Sequence, residues 1–288
     1  MIRFVGSRVL GMLVVLFLVT LFTYVIFFVL SPDPAVQICG KNCTPERIEQ
    51  IRVNLGLDLP FWQQFWEYVS GLFTGREYVV AGAVVSCPAP CLGYSFQTGQ
   101  LVSEMIVQRL PISATIAIGA AILWLIGGLV GGVLSAVHEG KFTDKFFAGL
   151  TLGAMSIPNY VLALVLQFVL VVALGWLPFP QAVPFAEDPG QWFLNFLMPW
   201  IVLAVGYAAV YTRLTRANVI ETLQENFVRT ANAKGLSSSL VWRRHALRPA
   251  LTPIVTIFGM DIAGLLGGAV ITETVFGLNG VGKLTADS

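Results

Sequence analysis

Charge is what this sequence has least of. Only 11% of its residues are Asp, Glu, Lys or Arg, against about 25% in an ordinary soluble domain. Hydrophobic residues make up 56%, and mean hydropathy is +0.77. Such a chain has too little polar surface to stand in water, which excludes a soluble globular domain and leaves an integral membrane protein. Its 288 residues give room for five or six spans plus loops. The net charge of +1 supplies no basic groove for phosphates, so no nucleic-acid partner is expected. Histidine is nearly missing, with two in all. His138 has no second His or Cys beside it in the sequence, so it reads as a solvated loop residue and no metal site is expected.

Long apolar runs are what the chain does have. Residues 9–30 are uncharged and follow Arg3 and Arg8. At about 1.5 Å per residue they reach roughly 33 Å, enough to cross the hydrocarbon core. A cleaved signal peptide would show a shorter apolar region and small residues before the cut, which Ser31-Pro32-Asp33-Pro34 does not provide. An uncleaved first span with a cytoplasmic N-terminus is therefore expected. Further spans are expected at 112–137, 146–174, 193–211 and 251–271. In the second, Gly127, Gly128, Gly131 and Gly132 would let another helix approach closely. In the third, Ser156-Ile157-Pro158-Asn159-Tyr160 should bend the axis, because proline removes a helix hydrogen bond. Asn159 and Tyr160 are thus candidates either for lining a pathway or for packing a kink. Asp261 falls near the middle of the fifth span, where an acid is costly and marks either a functional site or a partnered packing contact.

Residues 31–108 form one long outer loop in this reading. Thr44-Pro45-Glu46 should start a helix that Asn54-Leu55-Gly56 ends. After Pro60, the aromatics Phe61, Trp62, Phe65 and Trp66 recur at helical spacing and suit the membrane–water boundary. All four cysteines lie here, as Cys39-x3-Cys43 and Cys87-x3-Cys91. Outside the cytoplasm an even set favours disulfides, with three pairings open; a metal site or free thiols are the alternatives.

The most polar stretch between two apolar spans runs from Glu221 to Pro253, overlapping an expected cytoplasmic loop at 213–248. Arg229, Lys234, Arg243, Arg244 and Arg248 stand there against Glu221 and Glu225. Short basic loops stay in the cytoplasm. A helix from Glu221 to Lys234, stopped at Gly235, should be followed by a second one capped by Ser237 or Ser238.

The run Val228-Arg229-Thr230-Ala231-Asn232-Ala233-Lys234-Gly235-Leu236, with His245-Ala246-Leu247-Arg248 and Pro253, resembles the cytoplasmic loop of permeases in bacterial ABC importers, closest to the dipeptide/oligopeptide and nickel group. Three other phrases are similar to that group: 55–60, 156–160 and 272–284. Asn232 and Pro249 depart from the residues frequent there. The resemblance implies an all-α integral membrane protein, the transmembrane domain of a type I ABC importer, with five spans visible and a sixth expected but absent. It implies that Arg229, Thr230, Ala231, Ala233, Lys234, Gly235, Leu236 and His245 form a coupling element. The small Ala231 and Ala233 would allow close approach of an ATPase. The implied partners are a second homologous permease, two cytoplasmic ABC ATPase subunits that bind ATP and Mg, and an extracytoplasmic substrate-binding protein. The implied place is the bacterial inner membrane, with 272–284 as an outer re-entrant turn. Gly277-x4-Gly282-Lys283 is one residue short of a phosphate loop, since Leu284 follows, and it sits in no nucleotide-binding context. Peptide import without enzymatic activity of the chain's own is the leading expectation. Import of nickel or another small solute, or a membrane disulfide oxidoreductase using the cysteine pairs, are the rivals.

Overall fold

A computed structural model of the chain describes residues 2–27, 34–39, 43–80, 83–237 and 240–288. The chain divides into two compact units, Met1–Val107 and Gln108–Ser288.

In the first unit, α1 (Ile2–Val25) is a single apolar helix with mean hydropathy 2.3 over its span. It starts well before residue 9, and residues 28–30 of the expected span lie outside the described residues. Two short helices follow, α2 (Pro34–Cys39) and α3 (Pro45–Asn54). The latter begins after Thr44 with Pro45 in its first turn, and Gly56 supplies the left-handed residue beyond its end at φ 64°. Aromatic residues build α4 (Phe61–Thr74), whose Phe65 is fully buried and makes edge contacts with Tyr24 and Phe17 of α1. An antiparallel pair, β1 (Arg76–Val80) with β2 (Ala83–Cys87), comes next, then a minimal pair, β3 (Tyr94–Ser95) with β4 (Gln100–Leu101). These short ribbons lie in the expected outer loop of an otherwise helical chain. The aromatic and β-branched runs Tyr78-Val79-Val80 and Val84-Val85 prefer extended backbone to helix. Disulfides join Cys87 to Cys91 and Cys39 to Cys43. The first of these packs with Tyr78 and Leu101 in a small core of its own.

In the second unit, two helices of 36 residues carry the packing: α5 (Val102–Val137), which starts in the first unit, and α8 (Pro189–Gln224). Both outrun their expected spans. Pro111 lies inside α5 and does not begin it, so residues 102–108 are helix and not outer loop. Arg213 and Arg216 lie inside α8, so the first twelve residues of the expected 213–248 loop continue the span. The α5 glycines face α8. A Cβ on Gly128 would strike Tyr211, and one on Gly132 would lie 2.5 Å from the Thr215 Cβ. Only glycine lets the two backbones come this near.

The expected third span is two helices. Helix α6 (Phe142–Ser156) and α7 (Asn159–Gln167, extended by π-helical turns to Ala173) meet at 93° around Ile157-Pro158. Counting that pair once, five segments among the described residues have the length and apolarity to cross a membrane; the last is Arg244–Leu266. It contains α10 (Thr252–Leu266), which stops five residues short of 271. There Gly268, at φ 115°, turns the chain into α11 (Val270–Val275) and α12 (Val281–Asp287).

Candidate functional site

The polar segment between α8 and α10 is built by two breaks. Glu225 leaves the helical region (φ −66°, ψ 147°), so α8 stops there and α9 (Asn226–Ala233) starts. This corrects the expected start at Glu221. The stop at Gly235 is as expected: its φ is 76°, its N–H donates to the Asn232 carbonyl at 3.0 Å, and the Leu236 N–H to the Ala231 carbonyl at 3.4 Å. That pair of bonds is a Schellman closure, and the left-handed residue it needs is the reason for glycine. Seven residues of π-helix, Val241–Leu247, then lead towards α10. The Ser237 carbonyl accepts from the N–H groups of Leu240 and Val241 at 2.9 and 3.0 Å. Ser238, the other cap candidate, lies outside the described residues.

Helix α9 has one buried side. Val228 and Ala231, three residues apart, pack with Val241 and against Leu223 of α8. Arg229, Thr230, Ala233, Lys234 and Leu236 are exposed. Ala231 is therefore a correction: at 5% exposure it seats α9 on the protein, and only Ala233 offers a small outward face. His245 is half-buried on the π-helical segment behind α9. Phe227 and Leu240 are 44% and 41% exposed, and they add apolar area to an otherwise polar surface. Neither was singled out from the sequence, though an aromatic in the most polar stretch of a chain is a signal for docking.

Within the second unit, Asp261 accepts a hydrogen bond from the fully buried Tyr211 hydroxyl at 2.7 Å. Trp124 stacks on Tyr207 one turn of α8 earlier, with ring centroids 4.7 Å apart. The acid thus has a partner on α8. Asn159 opens α7 with its amide oxygen 3.3 Å from where a Cβ on Gly206 would stand, while Tyr160 is 51% exposed. The structure does not bring Asn159 or Tyr160 to Asp261 in any hydrogen bond among the described residues.

Two buried carboxylates lie outside the candidate site residues named from the sequence, although Glu273 belongs to the 272–284 phrase. Asp144 of α6 takes Nε and Nη2 of Arg216 at 2.6 and 2.8 Å, the Ser135 hydroxyl at 2.5 Å and the Gly140 N–H at 2.9 Å. Every lone-pair direction is used, which is what a buried carboxylate requires. Glu273 of α11 is fully buried and accepts from the Ser113 hydroxyl at 2.8 Å, the Lys283 N–H at 2.8 Å and the Ala269 N–H at 3.2 Å. Gly280 and Gly282 leave the room it needs, since a Cβ on Gly280 would sit 2.5 Å from its Oε2. The 272–284 segment is thus a tight pair of short helices wrapped on one acid, beginning at Val270.

The chain matches two family models. One described as the N-terminal part of a binding-protein-dependent transport system membrane component covers residues 1–117; the other, "Binding-protein-dependent transport system inner membrane component", covers 128–288. It is 33% identical over 288 residues to the glutathione transport system permease protein GsiC of Escherichia coli O6:H1, covering 100% of this chain and 87% of that one. A Brucella abortus (strain 2308) protein named for a peptide transport system permease is 32% identical over 278 residues, 96% of this chain and 84% of its own. A solved amino acid ABC transporter shares 14% identity over 64% of this chain and 78% of that chain, with a TM-score of 0.49. With helices of spanning length and family models that cover nearly all of it, the chain belongs to the family of inner membrane components of binding-protein-dependent transport systems, the permease subunits of ABC importers.

Proposed function

We propose that this permease carries peptides, and that α9 is the surface on which a separate cytoplasmic ATPase rests. The observation that supports this most is the division of α9. One side is fixed to α8 and the π-helical segment through Val228 and Ala231, and the other shows Phe227, Arg229, Thr230, Ala233 and Lys234 to solvent. A short helix bound rigidly to a long one passes a push on its outer face into the membrane. The basic residues keep this end of α8 in the cytoplasm, and Arg3 and Arg8 do the same for the N-terminus.

The relatives named for glutathione and peptide transport support a peptide cargo. The working unit in this reading has a second, homologous permease, two ATPases that hold ATP and Mg, and an extracytoplasmic binding protein. Nucleotide-driven closure of the ATPases moves α9, and the pathway between the permeases opens to one side and then the other. In this reading hydrolysis belongs to the ATPases. The disulfide oxidoreductase reading gains nothing from the structure, since Cys87 and Cys91 are 1% and 2% exposed.

The experiment is ATP-driven uptake in proteoliposomes, with a photocrosslinker at Phe227 or Ala233. Capture of the ATPase together with peptide uptake is the expected result. Crosslinks only to lipid, or uptake that proceeds without ATP, would sink the reading.

A further inference from the structure

The first unit holds a cavity of about 440 Å³ that the transport reading does not use. That volume is in the range of small-molecule sites. Its walls are aromatic: Tyr68 comes from α4, Tyr78 from β1 and Tyr94 from β3, with Tyr78 and Tyr94 stacked at 5.9 Å. Arg76, the first residue of β1, also lines it. Its guanidinium carbon is 5.7 Å from the Tyr68 ring centroid. Its side chain lies so flat on α4 that only a glycine, Gly71, fits beneath it.

Among the described residues, one nitrogen of that guanidinium, the buried Nη2, is left without a hydrogen-bond partner, and Arg76 forms no ion pair. An orphaned cationic N–H inside a protein is costly, so an acceptor is the expected complement. Glu67 and Glu77 line the same cavity and are not paired with it. The walls therefore carry one positive and two negative charges. A plain anion would meet the two carboxylates, and a plain cation would meet the guanidinium. A molecule that carries both an ammonium and a carboxylate answers both, and tyrosine faces favour the ammonium besides. Burial also raises the Tyr68 phenol above its ordinary pKa, with Arg76 pulling the other way, so that ring stays neutral and adds no third negative charge.

We propose that this cavity binds a zwitterionic amino compound of the α-amino acid or short-peptide class, with its carboxylate on Arg76 and its ammonium towards Glu67 and Glu77. The identification of such a ligand as cargo rests on the peptide-import reading; the binding site itself does not.

The test uses the full chain in lipid nanodiscs, without binding protein or ATPase. L-alanyl-L-phenylalanine is titrated by calorimetry, alongside its N-acetyl and C-terminal amide forms. Saturable binding of the free dipeptide is expected, weakened at least about fivefold by either cap and by Arg76→Gln, with Arg76→Lys in between. Gly71→Ala should weaken it similarly, because the new methyl displaces the guanidinium while leaving its charge. Near- and far-ultraviolet circular dichroism checks that each variant is folded. The capped ligands on the unaltered chain decide the question even where a variant is not. No saturable binding, or binding changed less than about fivefold by both caps, overturns the proposal. Peptide uptake by the assembled complex is measured in parallel. Uptake without binding here removes the cavity's role, and binding without uptake removes the cargo reading.

Discussion

The hydroxyl of Ser113 donates to the carboxylate of Glu273 at 2.8 Å across 160 residues of chain, and the same oxygen accepts the N–H of Val281 at 2.8 Å. One small side chain on α5 thereby holds both ends of the α11–α12 pair. Ser113→Ala should leave a buried carboxylate oxygen and the half-buried Val281 N–H short of partners, at a cost of about 1–3 kcal/mol. A lower melting temperature of the detergent-purified chain checks this. Gly280→Ala should lower it as well, since its methyl would meet the Glu273 carboxylate. An unchanged melting temperature in both would show that the acid is not held as described.

The Asp144–Arg216 pair makes a second prediction. Arg216→Ala removes two charge-assisted bonds from a buried carboxylate and should cost about 2–3 kcal/mol. Asp144→Asn should cost less, because the amide oxygen still accepts from Arg216. If the loss is equal in the two variants, burial of the charge and not the geometry of the fork is what matters.

On α9 the two alanines should part company. Ala231→Trp overfills a buried position and should destabilise the protein by about 1–3 kcal/mol or more. Ala233→Trp should leave the melting temperature within about 0.5 kcal/mol of the parent, as exposed substitutions usually do, yet abolish ATP turnover stimulated by substrate. Normal turnover in Ala233→Trp would count against docking on this face.

For Asp261 the informative comparison is Asp261→Asn with Tyr211→Phe. Asparagine still accepts the Tyr211 hydrogen bond but removes the charge, whereas Tyr211→Phe keeps the acid and removes its partner. If the charge lines the pathway, Asp261→Asn alone should slow uptake. Equal uptake in Asp261→Asn and the parent would reduce the acid to a packing contact.

Much of this architecture could be read from single residues. Pro45 and Gly56 bound α3, Gly235 closes α9, and Pro158 separates α6 from α7, each because its backbone allows few alternatives. The sequence misleads where charge looks like a helix end. Arg213 and Arg216 end an apolar run but not α8, since arginine is a good helix former and the hydrogen-bond ladder continues past it. Ala231 and Ala233 are identical in sequence, and only their turn about the α9 axis separates an inward from an outward role. Glu273 and Ser113 are 160 residues apart, so no local pattern could have joined them.

The continuity of α8 has a mechanical side. From Pro199 to Gln224 it is one helix of about 39 Å at the usual rise. Pro199 removes the hydrogen bond that would stiffen the upper turn, and Trp200 beside it is anchored to the Thr115 carbonyl at 2.9 Å. A tilt of about 5° about that pivot would swing the far tip by roughly 3 Å, as for any rod of this length. If an ATPase grips α9, movements of the α8 tip would reach the turn at Pro199 with no loop inside α8 to absorb the stroke.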